Sequence, residues 1–296
     1  MRKDDNSLSH DERAFVEQRA RMLLERADAW GVVPVPIDDL LSAARLKVAP
    51  TSLFDPRAIA AYAIAQGKKA ADVVKRALGK ILGILDAHEE VIHIDDTVME
   101  TRQRFLKLHE TGHFELPHQR KIFRFFEDSN EELDPSIADK FEREANNFAR
   151  YAIFNGSAYA DRAADLPLAF SSVKKMQRGF NVSLYAGLRE YARTHRHSCI
   201  AMAVEKPSLC PQNGWSAEIR RAETSFAFEQ RFGRPQLANI TKTHAFWPLV
   251  PFGKVTKPTI VQLTDLDGER HEFIGEALNT TYNILIFACP MALFKS

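Results

Sequence analysis

Two histidines four residues apart place the strongest constraint on this chain. They lie in the segment His109-Glu110-Thr111-Gly112-His113, for which the apolar spacing predicts a helix capped at Thr97. Residues four apart share one face of a helix, so both imidazoles can bind one metal ion while Glu110 stands beside it. A catalytic zinc ion keeps its fourth position for water, and a nearby carboxylate takes the proton from that water. The segment therefore predicts a zinc-dependent hydrolase with Glu110 as general base.

The third protein ligand of this site is open among several carboxylates. The longer pattern that supplies a third histidine fails, because positions 116 and 119 are not the Gly and His it needs. A second helix is predicted to begin at Asp134-Pro135, and on it Glu142 and Asn146 share a face. Glu142 can then bind the metal while Asn146 hydrogen-bonds to a ligand. The candidate third ligands are Glu115, Asp139, Glu142 and Glu144.

Composition and charge narrow the class of protein. The chain has 296 residues, 45% of them hydrophobic, which is enough for about two domains with real cores. Lys and Arg number 40 and Asp and Glu number 39, so the global charge favours neither a nucleic-acid coat nor a membrane surface. Three cysteines without C-x-x-C spacing argue against a disulfide framework. With no apolar leader and no span of about 20 apolar residues, a cytoplasmic protein is expected.

The order of predicted elements gives an α+β fold. Ser9-x-x-Glu12 predicts a capping box for a first helix ending at Gly31, followed by a helix over 37–44 and an Ala-rich helix over 55–80. Residues 81–85 and 91–94 predict a hairpin. Residues 172–194 resemble a helix-turn-helix with a turn at 179–182 and a second helix capped by Ser183. Strands are expected at 199–204, 259–263, 271–274 and 284–288, with a hairpin turn at Asp267-Gly268, while 215–233 is open between helix and strand.

A basic segment stands out between residues 172 and 197. It has six cations against the single acid Glu190, a net charge of +5. Such a segment predicts a site for nucleic acid, in particular a single-stranded DNA activator, or for an acidic protein surface. The alternative is the solvated face of a packed helix pair. The six cations are Lys174, Lys175, Arg178, Arg189, Arg193 and Arg196.

Two stretches together resemble the ImmA/IrrE family of metallopeptidases. They are Arg104-Phe105-x-x-x-His109-Glu110-x-x-His113 and Glu142-x-Glu144-Ala145-Asn146-x-Phe148-Ala149, and the resemblance extends over about residues 10–195. It implies a zincin-like peptidase domain with Glu142 as the third zinc ligand. It also implies a cytoplasmic endopeptidase that cleaves a helix-turn-helix transcriptional repressor and so derepresses a stress, DNA-damage, prophage or defence operon. The segment 151–155 departs from the family pattern, so the resemblance does not predict the residues that form the substrate-side wall of the cleft.

The C-terminal third resembles the GAF-like sensory domain of IrrE-type proteins only weakly, and a structural lid is the alternative. The expected division is a peptidase domain over 1–165, a helix-turn-helix-like module over 166–197 and a C-terminal α/β domain over 198–296. Cys210 lies in a turn-rich loop, where its thiolate could take the open position on zinc and inhibit the enzyme. Cys199 and Cys289 are expected to be buried. A rival to the whole interpretation is a non-catalytic DNA-binding regulator with a structural zinc.

Overall fold

The computed structural model describes residues 7–49, 83–86, 89–127, 134–210, 214–236, 238–250 and 257–294, leaving aside the side chains of 83, 84, 123–127 and 210. Within these ranges the chain is α+β, as predicted, with nine α-helices and ten strands. It divides into two compact units, one of Met1–Ala158 with Phe180–Val182 and the other of Tyr159–Gly179 with Ser183–Ser296. The Ala-rich helix predicted over 55–80 lies outside the described residues. No described helix has the length and apolar content needed to cross a membrane.

The helices of the first unit begin largely where local sequence signals place them. Ser9 and Glu12 form the predicted capping box at the start of α1, although this helix ends at Arg26 and not at Gly31. The Asp134 side chain accepts from the backbone N–H of Ser136 at the start of α5, with Pro135 in the first turn. The helices are α1 (His10–Arg26), α2 (Ile37–Ala44), α3 (Glu100–Glu115), α4 (Pro117–Glu127) and α5 (Pro135–Ile153).

A three-stranded sheet supports helix α3. Its strands are β1 (Lys47–Val48), β2 (Gly83–Asp86) and β3 (Val91–Ile94). Strand β3 lies in the middle, parallel to β1 and antiparallel to β2, so the predicted hairpin is confirmed. The cap predicted at Thr97 is wrong: α3 begins at Glu100 without a side-chain cap, because Asp95 accepts from both the backbone N–H and the hydroxyl of Thr97. Both β2 and β3 pack against α3.

Helices α3 and α5 approach each other closely at a glycine. A Cβ atom at Gly112 would lie 3.1 Å from the Cβ of Phe148 and 3.2 Å from two of its ring atoms. Phe148, Ala145 and Leu108 are fully buried in the same unit. Since a larger residue at position 112 would separate the helices, this glycine sets how near the residues of α5 come to the histidines of α3.

The second unit combines a helical region with an antiparallel sheet. Its helices are α6 (Ala158–Ala164), α7 (Phe170–Gly179), α8 (Leu184–Thr194) and α9 (Phe226–Phe232). Its strands are β4 (Ile200–Val204), β5 (Ser208–Cys210), β6 (Gly214–Thr224), β7 (Asn239–Thr241), β8 (Thr259–Thr264), β9 (Arg270–Asn279) and β10 (Ile284–Pro290). Their order is β5-β6-β4-β10-β9-β8, with β7 paired to β6. Single 3₁₀ turns are formed by Trp247–Leu249 and Met291–Leu293.

Local signals in the second unit mostly agree with the structure. The Ser183 side chain accepts from the backbone N–H of Ala186 and begins α8, as predicted. The hairpin expected at Asp267-Gly268 joins β8 to β9, and Gly268 has a φ of 86°, which suits a residue without a Cβ. The open segment 215–233 divides into strand β6 and helix α9. Buried apolar side chains, among them Ile200, Met202 and Phe273, form a core on this sheet.

Candidate metal centre

Two histidines of α3 and one glutamate of α5 meet at a single point. The Nε2 atoms of His109 and His113 lie 3.2 Å apart. Glu142 directs one carboxylate oxygen to each ring, at 3.3 Å from His109 Nε2 and 3.5 Å from His113 Nε2. Both imidazoles are buried, whereas 42% of the Glu142 side chain is exposed. The site is therefore closed on the histidine side and open on the glutamate side.

The spacing of these donor atoms fits a tetrahedral metal ion. Zinc bonds to nitrogen and oxygen are about 2.0–2.1 Å long, and ligands at the corners of such a tetrahedron lie about 3.3–3.4 Å apart. The two imidazole nitrogens lie 3.2 Å apart, and a different oxygen of the Glu142 carboxylate lies 3.3 Å from His109 Nε2 and 3.5 Å from His113 Nε2. Burial alone would raise the pKa of Glu142, but its interactions with the His109 and His113 imidazoles hold that pKa well below the usual range. The glutamate is thus ionised, as a metal ligand must be.

Glu110 lies beside the three donors without joining them. It is buried, and the backbone N–H of Leu85 in β2 donates to its carboxylate. Burial raises the pKa of Glu110, and Glu142 adds to the effect, while the two imidazoles oppose it. A carboxylate whose pKa is raised in this way is a better proton acceptor than an exposed one. The arrangement suits a general base next to a metal-bound water.

Gln119 is a contributor that the sequence did not reveal. Its Oε1 lies 2.6 Å from Nδ1 of His113, and its amide nitrogen donates to Glu144 Oε2 at 2.5 Å. The side chain has no solvent exposure. In the sequence this residue only marked the failure of the three-histidine pattern. Its position in α4, just past the end of the histidine helix, is the one signal that could have drawn attention to it.

The other candidate third ligands are held by different partners. Glu115 forms ion pairs with Arg19, at 3.6 Å, and with Arg26. Asp139 pairs with Arg143 at 3.2 Å, one turn along α5. Glu144 accepts from Gln119 and His118 and does not belong to the group of potential metal donors. Asn146 is buried on α5, and its hydrogen bond to a ligand stays a prediction.

A second group of donors in the described residues has the composition of a metal site but not its chemistry. Asp265, Glu269 and His271 come together at the β8–β9 hairpin. One oxygen of Asp265 accepts from His271 at 2.7 Å and from Arg231 at 3.3 Å, and the other accepts two backbone N–H groups of the turn. The arginine already neutralises this carboxylate, so the group is explained as a hydrogen-bonded turn.

The basic segment separates into two parts in the structure. Arg189 and Arg193 of α8 both donate to Glu223 of β6 at 2.7 Å, and Arg193 also pairs with Glu190 at 3.2 Å. These two cations stabilise the second unit internally, which the local charge count did not foresee because Glu223 lies in a different element. Arg196 is exposed beside His197. We call the remaining three cations, all exposed on α7, the basic face: Lys174, Lys175 and Arg178.

The structure describes the side chains of two of the cysteines, Cys199 and Cys289. Cys199 and Cys289 are fully buried, as predicted, and burial raises the pKa of Cys199 above its usual range and that of Cys289 to about 12. Such thiols are inert at neutral pH. The side chain of Cys210 lies outside the described residues, so its inhibitory role stays a prediction.

The two histidines and Glu142 form a candidate metal-binding group, and comparison with known proteins places them within a family model named for peptidases. Residues 72–185 match the family model Peptidase_M78, described as the IrrE N-terminal-like domain. This confirms the resemblance to the ImmA/IrrE family for that part of the chain, which carries all three donors and Glu110. No curated protein sequence matches the chain.

A solved structure resembles the fold over most of the chain. It is a Mycobacterium tuberculosis transcriptional regulator, 12% identical in sequence, with a TM-score of 0.54. The similarity covers 97% of this chain and 78% of that one. At this identity the comparison supports a common fold and nothing finer.

Proposed function

We propose that this protein is a zinc-dependent endopeptidase in which His109, His113 and Glu142 hold the ion and Glu110 is the general base. The observation that carries the proposal is the meeting of the two imidazole nitrogens, 3.2 Å apart, with the Glu142 carboxylate, which places a different oxygen 3.3 Å from His109 and 3.5 Å from His113, and a separate buried carboxylate, Glu110, lies next to them. Two histidines and one glutamate are the ligand set of a catalytic zinc with an open fourth position. A structural zinc is more often closed by four ligands, commonly cysteines.

The roles of the residues follow from their places. When bound, zinc polarises the peptide carbonyl and lowers the pKa of a water molecule in its open position. Glu110 would act as the general base that accepts a proton from the attacking water, and its burial makes proton uptake easier. The N–H of Leu85 keeps the Glu110 carboxylate oriented. Glu142 supplies a negative charge that offsets part of the charge of the ion, and its exposure leaves one side of the site accessible to a peptide.

The proposed substrate is a helix-turn-helix transcriptional repressor, cleaved to derepress a stress, prophage or defence operon. This part rests on the ImmA/IrrE resemblance, which the family-model match over residues 72–185 supports. The seven-stranded sheet of the second unit would then be the GAF-like sensory or lid domain. The alternative function is that of a DNA-binding regulator with a structural zinc, and the observation in its support is the basic face on α7.

The test combines zinc content with cleavage. Glu110→Gln should keep about one zinc per chain and lose roughly 10²–10⁴-fold in cleavage rate, because only the base is removed. Glu142→Ala should lose both zinc and cleavage. Asp139→Ala is the matched control on the same helix, since Asp139 pairs with Arg143, and it should keep both. The assay uses helix-turn-helix repressors encoded beside the gene of this chain.

The outcomes separate the two functions. Full cleavage by Glu110→Gln would refute the mechanism. Zinc binding by the parent without cleavage of any neighbouring repressor, combined with DNA binding that zinc removal abolishes, would favour the non-catalytic regulator.

A further inference from the structure

A continuous chain of hydrogen bonds begins at one metal-facing histidine and ends near the surface of the first unit. It starts at Nδ1 of His113, 2.6 Å from Oε1 of Gln119. The amide nitrogen of Gln119 continues it to Oε2 of Glu144 at 2.5 Å and also lies 3.4 Å from the backbone carbonyl of Phe141. His118 donates to the same Glu144 oxygen at 2.7 Å. The first three groups of the chain, His113, Gln119 and Glu144, are all buried.

The chemistry of the acceptors fixes the direction of every bond in this chain. The Phe141 carbonyl can only accept, and so can the Glu144 carboxylate when ionised, so the –NH₂ end of the Gln119 amide must face them. Its oxygen must then face His113. Because an amide oxygen is also only an acceptor, Nδ1 of His113 must carry a proton. The neutral ring then has its lone pair on Nε2, the atom that points at His109 and Glu142.

We propose that Gln119 is a positioning residue which holds His113 in the tautomer and ring orientation needed to bind metal, and that Glu144 and the Phe141 carbonyl hold the Gln119 amide in place. The inference rests on the proposed metal site and names a residue of that site beyond its ligands and base. Ligating histidines usually donate their second N–H to such a partner, and losing the partner commonly weakens metal binding by about 10–100-fold.

The two histidines of the site are not equivalent in this respect. Nδ1 of His109 is buried and has no hydrogen-bond partner among the described residues. The Phe105 ring lies against the His109 ring, with the centroids 6.3 Å apart. Packing thus restrains His109 without selecting its tautomer, whereas a directed hydrogen bond selects that of His113. The effect of Gln119 should accordingly be confined to one ligand.

The test measures zinc binding by the full chain in competition with a chromophoric chelator. Gln119→Met keeps the length of the side chain but removes its hydrogen bonds to His113, Glu144 and the Phe141 carbonyl, and should weaken zinc binding about 10–100-fold. Lys121→Met is the matched control, because Lys121 is exposed on the same helix, and it should bind zinc as the parent does. In the double variant Gln119→Glu with Glu144→Gln, the carboxylate at position 119 accepts from His113, and the amide at position 144 donates to that carboxylate. This exchanged pair should recover affinity to within about tenfold of the parent.

A second readout reports the hydrogen bond itself. In the zinc-loaded parent, the Nδ1 proton of His113 should give a far-downfield, slowly exchanging proton signal, which is assigned by its correlation with the ring nitrogens of His113. The signal should disappear or move upfield in Gln119→Met and persist in Lys121→Met and in the exchanged pair. A purely structural role of Gln119 would alter stability without these selective changes.

Each outcome decides something different. A parent that binds no zinc overturns both the proposed function and this inference. A parent that binds zinc, with Gln119→Met binding it equally tightly, overturns only the inference. If Gln119→Met fails to fold, the exchanged pair decides: recovered affinity and the downfield proton support the hydrogen-bond account, and their loss in a folded protein refutes it.

Discussion

Replacing Gly112 by alanine should weaken the metal site through helix packing, although residue 112 binds no metal. The added Cβ would lie 3.1–3.2 Å from three atoms of Phe148, whereas carbon atoms pack at about 3.5–4.0 Å. Relief requires that α3 and α5 separate locally by roughly 0.4 Å. His113 is the next residue on α3, and Glu142 lies on α5. Since metal–ligand distances tolerate only about 0.2 Å, this separation is enough to disturb the site.

The two effects of the substitution on folding oppose each other. Alanine in a helix is favoured over glycine by about 1 kcal/mol, whereas overpacking a core costs about 1–3 kcal/mol. The net loss in the free energy of unfolding of the metal-free protein is therefore at most about 2 kcal/mol. Zinc affinity has no compensating gain, and a fall of about tenfold is expected, equivalent to about 1.4 kcal/mol.

Zinc titration against a chelator, together with urea unfolding of the metal-free protein, tests this reasoning. Gly179→Ala is the matched control, because Gly179 ends helix α7 and a Cβ there meets no atom within 4 Å. The control should bind zinc as the parent does. If Gly112→Ala also bound zinc with the affinity of the parent, the close approach of the two helices would not determine the geometry of the site.

Three further predictions concern the second unit. Burial alone would raise the pKa of Glu223, but its partners Arg193 and Arg189 lower it. The ion pairs of Glu223 therefore stabilise the fold above the ordinary glutamate pKa of about 4.3, and this stabilisation is lost as the pH falls through the lower pKa of the folded state. Glu223→Gln should therefore cost about 2 kcal/mol near pH 7 and less in acid, measured by urea unfolding. Charge reversal of the basic face should weaken the binding of single-stranded DNA and reduce its salt dependence. Binding that does not depend on salt would show that this face is only a solvated helix surface. If Cys210 inhibits the enzyme, Cys210→Ala should cleave repressor without an activator, and activity equal to that of the parent would exclude this role.

The sequence by itself determined the features that depend on neighbours a few residues away. Helical periodicity placed His109 and His113 on one face, and the capping signals at Ser9, Asp134 and Ser183 set three helix starts, because their hydrogen bonds close within one turn. The same reasoning failed at Thr97, where Asp95 competes for the hydroxyl over an equally short distance. Segment 215–233 stayed ambiguous because strand β6 is defined by its partners in the sheet.

Only the tertiary structure decided which distant groups meet. Four carboxylates were open as the third donor, and α3–α5 packing at Gly112 brings Glu142 to the histidines while Glu115 and Asp139 pair with arginines. Gln119 of α4 finds its partners on two other helices, His113 of α3 and Glu144 of α5. Glu223 likewise neutralises cations on another element. Burial is the physical reason, since a polar group removed from water must find a partner in space, and that partner need not be near in sequence.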